Sequence, residues 1–152
     1  MNRRLFLVPS ATMLISIAVG DAQNVGKQVI SSPNAPEAIG PYSQAIKSGK
    51  TVYLSGQIAI DPKTKQLMAD ASIEDQTRLA LENLKAVLAA DGLTLDSIVS
   101  ATVFLTDLTD FAKMNEVYAT YFKNSPPARA TVEVAHLPRS AKVEISAIAV
   151  HP

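Results

Sequence analysis

Cysteine and tryptophan are missing from all 152 residues, and histidine occurs only twice. Without thiols there are no disulfides, no thiolate catalysis and no cysteine-ligated metals, whatever the redox compartment. His136 and His151 lack HxH or HExxH spacing, so a zinc site is not expected. Aromatic residues make up 5% of the chain, which leaves little surface for stacking nucleobases. Acidic and basic residues balance at 14 each, and no run of Lys or Arg concentrates positive charge. Nucleic acid is therefore not expected as the main partner. No GxSxG, P-loop or GxGxxG motif occurs, so serine-hydrolase, nucleotide and dinucleotide chemistry have no carrier.

What is present describes one folded domain. Hydrophobic residues make up 47% of the chain and charged residues 18%, enough apolar content for a core. The N-terminus stands apart. Asn2-Arg3-Arg4 precedes the mostly apolar stretch Leu5–Val19, and small residues follow at Gly20 and Ala22. This pattern reads as a secretory signal peptide over residues 1–22, ahead of a domain over 23–152. Pro9, Ser10 and Thr12 interrupt the apolar run, and it is short for a membrane span of ~20 residues. The expected location is the periplasm or outside the cell, with no membrane attachment once the leader is removed. If the start codon is set too early, the protein is cytoplasmic. Removal after Ala22 takes away Arg3, Arg4 and Asp21 and leaves a net charge of −1.

Alternation and turn residues predict strands at Gln28–Ser31, Gln44–Ser48 and Thr51–Ser55, with a turn at Ser48-Gly49-Lys50. Pro33–Ser43 is too rich in proline for a regular element and reads as an ordered loop ending near Tyr42. Ser55-Gly56-Gln57 interrupts its strand, as a bulge or a close backbone approach would. Ser72 can cap a helix running toward Gly92, with Ile73, Thr77, Ala80, Leu81, Leu84, Val87 and Leu88 as its apolar stripe. Ile98–Leu105 reads as a core strand. Thr109–Phe122 reads as a second helix, with Phe111, Met114, Val117, Tyr118, Tyr121 and Phe122 assigned to the core. Asn115 lies at the edge of that stripe, either exposed or reaching a pocket. Two further strands follow, in Pro126–Val134 and Ala141–Val150. This order predicts an α+β fold with both helices on one face of a mixed sheet. The last strand carries apolar residues on both faces, so the uncovered face is expected to bury itself against other copies of the chain.

The segment PPARATVEV (Pro126–Val134) presents Arg129 on a stiff, weakly polar leader. Of the five arginines, two lie in the leader, while Arg78 and Arg139 fit solvated positions. A guanidinium fork can hold a small carboxylate bidentately, though a structural ion pair with Glu133 accounts for Arg129 equally well. Glu144 sits mid-strand between Val143 and Ile145, where an acid needs a partner or a task. It can act as a general base or pair with Arg129 or Lys142.

The segments APEAIGPYSQA (Ala35–Ala45), YLSGQIAIDPKT (Tyr53–Thr64), LKAVLAADG (Leu84–Gly92), TVFLTDLTDFAKMNEVYATYF (Thr102–Phe122), PPARATVEVAHLP (Pro126–Pro138) and VEISAIAV (Val143–Val150) together resemble the reactive intermediate deaminase (RidA, YjgF-type) family. The resemblance extends over roughly Gln28–His151. It implies a chorismate-mutase-like fold assembled as a homotrimer with clefts between subunits. The implied activity is hydrolysis of 2-imino acids or their enamine tautomers, such as 2-iminobutanoate and 2-iminopropanoate, to 2-keto acids and ammonia. No metal or organic cofactor is implied. Arg129 falls on the family's carboxylate-binding arginine and Glu144 on the acid that positions water. Tyr42, Ser55, Gly56, Gln57 and Asn115 fall on positions lining the cleft. Thr131 stands where many members carry cysteine, and the leader is a second departure, since most relatives are intracellular. Two other readings remain: a non-catalytic carboxylate-binding or chaperone-like trimer, and an endoribonuclease.

Overall fold

The computed structural model describes residues 26–152; the segment expected to be a signal peptide, residues 1–22, lies outside the described residues. Among the described residues six strands form one sheet: β1 (Lys27–Ile30), β2 (Ala45–Ser48), β3 (Thr51–Gln57), β4 (Ile98–Leu105), β5 (Ala128–Glu133) and β6 (Val143–Val150). Their order across the sheet is β1-β2-β3-β6-β4-β5. All neighbours are antiparallel except β4 and β5, which run parallel because α2 (Phe111–Tyr121) carries the chain back between them. The mixed α+β architecture is therefore as the element order predicts.

Helix α1 (Ile73–Ala89) begins where Ser72 Oγ accepts the Asp75 amide at 3.1 Å, and it packs over β3 and β6. The chain leaves it through Gly92, which takes φ +71°, a left-handed value that favours glycine. Every residue of its predicted apolar stripe is buried, and Leu81, Leu84 and Leu88 are essentially inaccessible. Each fully buried leucine contributes roughly 1.5–3 kcal/mol of transfer free energy, so this face alone anchors the helix. Two polar residues share it. Gln76 donates to the carbonyls of Met68 and Ala69 and accepts the Lys142 amide, while Asn83 donates to the carbonyls of Ile58 and Ile60.

Helix α2 starts two residues later than expected, because Leu108–Asp110 forms a 3₁₀ turn capped by Asp107, whose side chain accepts the Thr109 amide. Met114, Val117 and Tyr118 are buried against the core as predicted. Phe111 is not: it is 40% exposed at the outer end of α2.

The helices cover one face, toward which Val52, Leu54, Ala101, Val103, Leu105, Val143, Ile145 and Ala147 point. Among the described residues no element covers the opposite face. Register places Val29, Ile46, Tyr53 and Ile148 in one apolar row across four strands there, with Tyr53 half exposed. Glu144, Phe104 and Val132 form a parallel row near the other end.

Candidate functional site

The structure divides the residues singled out by sequence into two groups on opposite faces of the sheet. The first surrounds Glu144. Ladder pairing runs Leu54↔Ala147 and then Gln57↔Ile145, so β3 spends one more residue than β6 between them. This is the bulge anticipated at Ser55-Gly56-Gln57. It brings the Gly56 backbone against the Glu144 side chain so closely that a Cβ on residue 56 would overlap the carboxylate. Ser55 Oγ donates to the Ser43 carbonyl at 2.7 Å, and its amide donates to the Gln44 carbonyl at 3.0 Å. The serine thus ties the bulge to the proline-rich loop rather than offering a free hydroxyl.

That loop is organised by Gln44, a buried amide overlooked at the level of sequence. Its Oε1 accepts the Ser32 amide at 2.6 Å, and its Nε2 donates to the Pro36 carbonyl at 2.7 Å and to the carbonyls of Ser32 and Ala35. Tyr42 caps the loop by accepting the Ile39 amide at its hydroxyl, 3.2 Å away. Loop, bulge and Glu144 enclose a cleft of about 290 Å³, lined mostly by apolar side chains such as Ile39, Ile58 and Ile60.

Glu144 itself has no hydrogen-bond or ion-pair partner among the described residues; Lys142 instead donates to the Ala71 carbonyl at 2.7 Å. Burial raises the Glu144 carboxyl above its ordinary value, with no neighbouring cation to offset it. An unpaired, half-buried and unusually basic carboxylate beside an open cleft is suited to holding and deprotonating water.

The second group lies beneath α2. Ala101 pairs with Arg129 and Val103 with Thr131, which turns both side chains of β5 toward the helix face. Arg129 Nη2 donates to Asn115 Oδ1 at 2.7 Å, and its guanidinium carbon lies 4.4 Å from the Tyr118 ring centroid and 5.9 Å from that of Phe111. Asn115 therefore reaches the arginine rather than standing in solvent. The ion pair between Arg129 and Glu133 does not form: Glu133 Oε2 accepts the Leu108 amide at 2.8 Å. Among the described residues no carboxylate neutralises Arg129, and it opens onto a hollow between Asn115, Tyr118 and Pro126-Pro127. Among the described residues Tyr118 Oη makes no hydrogen bond of good geometry, and burial pushes its phenol up to about 12, with the charge and close approach of Arg129 opposing.

Within one chain, then, Tyr42, Ser55, Gly56, Gln57 and Glu144 come together, and so do Arg129, Asn115 and Thr131, while the two groups stay apart. The remaining arginines behave as expected, Arg78 exposed on α1 and Arg139 donating to the Lys65 carbonyl. Among the described residues no group of three or more His, Asp or Glu side chains is gathered as a metal ion would need, and no helix is long and apolar enough to cross a membrane.

The fold is thus a mixed sheet covered by two helices on one face, with an arginine that no carboxylate neutralises on that face and an unpaired acid on the other. The family model described as endoribonuclease L-PSP matches residues 32–151, and the chain belongs to that family, the one that holds the RidA and YjgF proteins. It is 55% identical over 123 residues to a RutC family protein of Pyrococcus horikoshii, covering 81% of this chain and 97% of that protein. It is 48% identical to the mouse protein named 2-iminobutanoate/2-iminopropanoate deaminase, covering 82% of this chain and 91% of that one. Among solved structures it resembles Escherichia coli TdcF with bound serine, with a TM-score of 0.79 and 46% identity over 82% of this chain and 99% of that one. Relatives carrying deaminase names support a deaminase here.

Proposed function

We propose that this protein hydrolyses 2-imino acids, 2-iminobutanoate and 2-iminopropanoate among them, to 2-keto acids and ammonia without a cofactor. The observation that carries this reading is Arg129: a guanidinium held in place by Asn115 and Tyr118 yet left without a carboxylate. An arginine so placed can clamp a substrate carboxylate bidentately. The serine in the TdcF structure is a ligand of that chemical kind.

With the carboxylate clamped, water held by Glu144 adds to C2 of the protonated imine, and Glu144 takes a proton from it. Glu144 returns that proton to the amine nitrogen of the carbinolamine and then accepts the carbinol O–H proton as the C–N bond breaks, expelling ammonia and leaving the 2-keto acid. Orientation and modest acid–base help suffice, because imines already hydrolyse in water.

The separation of the two half-sites gives this reading a structural requirement. Arg129 lies on the edge strand β5 and faces α2, whereas Glu144 faces the uncovered side. A complete site needs a second copy, which would bring the β5 edge of one subunit to the Gly56–Glu144 cleft of the next. The uncovered apolar row supports such an assembly, and a homotrimer closes it. We further propose that the leader is removed and the protein works outside the cytoplasm; an intact mass beginning after Gly20 or Ala22 is the check.

In an amino-acid-oxidase-coupled assay, Arg129→Ala lowers kcat/KM for 2-iminobutanoate by about a hundredfold or more, the scale of a charge-assisted contact worth up to ~3 kcal/mol. Undiminished turnover by Arg129→Ala rejects the mechanism. Carboxylate binding without ammonia release would favour the non-catalytic binder. The family description keeps a ribonuclease reading in view, against which the balanced charge weighs; Arg129-dependent RNA cleavage by the purified protein would favour it.

A further inference from the structure

The sequence accounts for Tyr118 as core, and its burial agrees, but its contacts give it a second task. Its ring stacks on Phe122, centroids 4.4 Å apart and 26° from parallel, so its orientation is fixed from within α2. The Arg129 guanidinium carbon lies as close to the Tyr118 centroid, at 4.4 Å. A cation at that distance is attracted by the electron-rich ring face, and more strongly where water is excluded. The hydroxyl is the weaker contact: among the described residues Tyr118 Oη makes no hydrogen bond of good geometry, although Arg129 is near enough to oppose the rise of its phenol.

We propose that Tyr118 is a positioning residue for Arg129, acting through its ring face and not through its hydroxyl. The ring supports the flat side of the guanidinium while Asn115 Oδ1 takes one N–H edge at 2.7 Å. One face and one edge of the guanidinium are thereby held, and the remaining donors are left for an anion. Most of the rotamer entropy lost on binding is then lost on folding instead. The inference deepens the carboxylate-clamp reading and rests on it.

The test measures two quantities on the intact protein: affinity for 2-oxobutanoate by calorimetry, and kcat and KM for 2-iminobutanoate. Tyr118→Leu removes the ring face and is expected to weaken 2-oxobutanoate about tenfold, and to raise KM by a similar factor with a smaller change in kcat. Tyr118→Phe keeps the face and is expected to restore wild-type affinity. Unchanged affinity in a folded Tyr118→Leu protein overturns the proposal, and so does an equal loss in Tyr118→Phe, which would place the effect in the hydroxyl. Should Tyr118→Leu fail to fold, Tyr118→Met supplies a flexible apolar replacement judged by the same criteria. Arg129-dependent binding of 2-oxobutanoate without turnover would defeat the deaminase reading and leave this one standing. No Arg129-dependent binding in the wild type would defeat both.

Discussion

Glu144 shows what a functional residue costs the fold. Its carboxyl is raised by burial and relieved by no partner, so the folded state holds its proton more tightly than the unfolded chain does. A carboxylate shifted upward lowers stability as pH rises from its ordinary value of 4.5 through its folded value, and the penalty is full above that. Glu144→Gln should therefore melt at a higher temperature than wild type at pH 7, with the gap closing as pH falls below about 4.5. The same change should lower kcat about 10²–10⁴-fold, the usual contribution of a positioned base. Thermal melts across pH, paired with the imine assay, check both; a variant less stable at pH 7 would mean that Glu144 has a partner after all. Sequence made Arg129 and Glu144 visible because each is a charge flanked by small or apolar residues, Ala128 and Ala130 for one, Val143 and Ile145 for the other. It could not tell a clamp from an ion pair. The competing partners were ruled out by where Glu133 and Lys142 spend their hydrogen bonds and by the opposite faces on which Arg129 and Glu144 lie. Tyr118 and Gln44 were hidden for the opposite reason: one looks like ordinary core, and the other like an ordinary polar residue at a strand end.

Elements were legible where local patterning decides them. The α1 stripe, the Ser72 cap, the Gly49 turn and the β3 bulge all follow from spacing and turn chemistry. Gln76 and Asn83 fell outside that pattern, since Gln76 is buried to accept the distant Lys142 amide and Asn83 to satisfy the distant carbonyls of Ile58 and Ile60. The parallel pairing of β4 with β5 was likewise decided by the return path through α2. Another long-range tie joins three elements at the far end of the sheet. Asp91, just after α1, accepts Lys47 Nζ of β2 at 3.2 Å and lies 2.6 Å from His151 Nε2 beyond β6. Burial alone would raise its carboxyl, but the hydrogen bonds from His151 and Lys47 outweigh this and hold it below 3.8. A depressed carboxylate stabilises the fold above its unfolded value and loses that effect as pH falls through its folded one. Asp91→Asn should thus cost about 1 kcal/mol at pH 7, the upper range for an ion pair with some solvent access. The difference should persist to about pH 4 and fade below; urea titrations at pH 7, 5 and 3 measure it.

For the whole molecule, the uncovered sheet face was foreseen from apolar residues on both sides of Ala141–Val150. The placement of Arg129 and Glu144 on opposite faces was not, because strand alternation fixes sides only within a strand. If each site takes Arg129 from one subunit and Glu144 from its neighbour, two inactive proteins can repair one another. Arg129→Ala and Glu144→Gln, unfolded together in equal amounts and refolded, should recover activity at about a quarter of the wild-type sites, by random assembly in a closed ring. Each variant refolded alone should stay inactive. Failure of the mixture, with mixed assemblies confirmed by mass spectrometry, would place both residues in one subunit's site and refute the shared cleft.

The extra residue in β3 has one more consequence. Before it, Val52 and Leu54 face the core; after it, Gln57 does, so the inward phase shifts from even to odd numbers. Removing or adding a single residue at Ser55-Gly56 would invert either the core half of the strand or the half that meets Glu144. Substitutions can drift here, but length cannot. Over evolutionary time this short stretch should be closed to insertion and deletion, even though it is neither the most buried nor the most regular part of the chain.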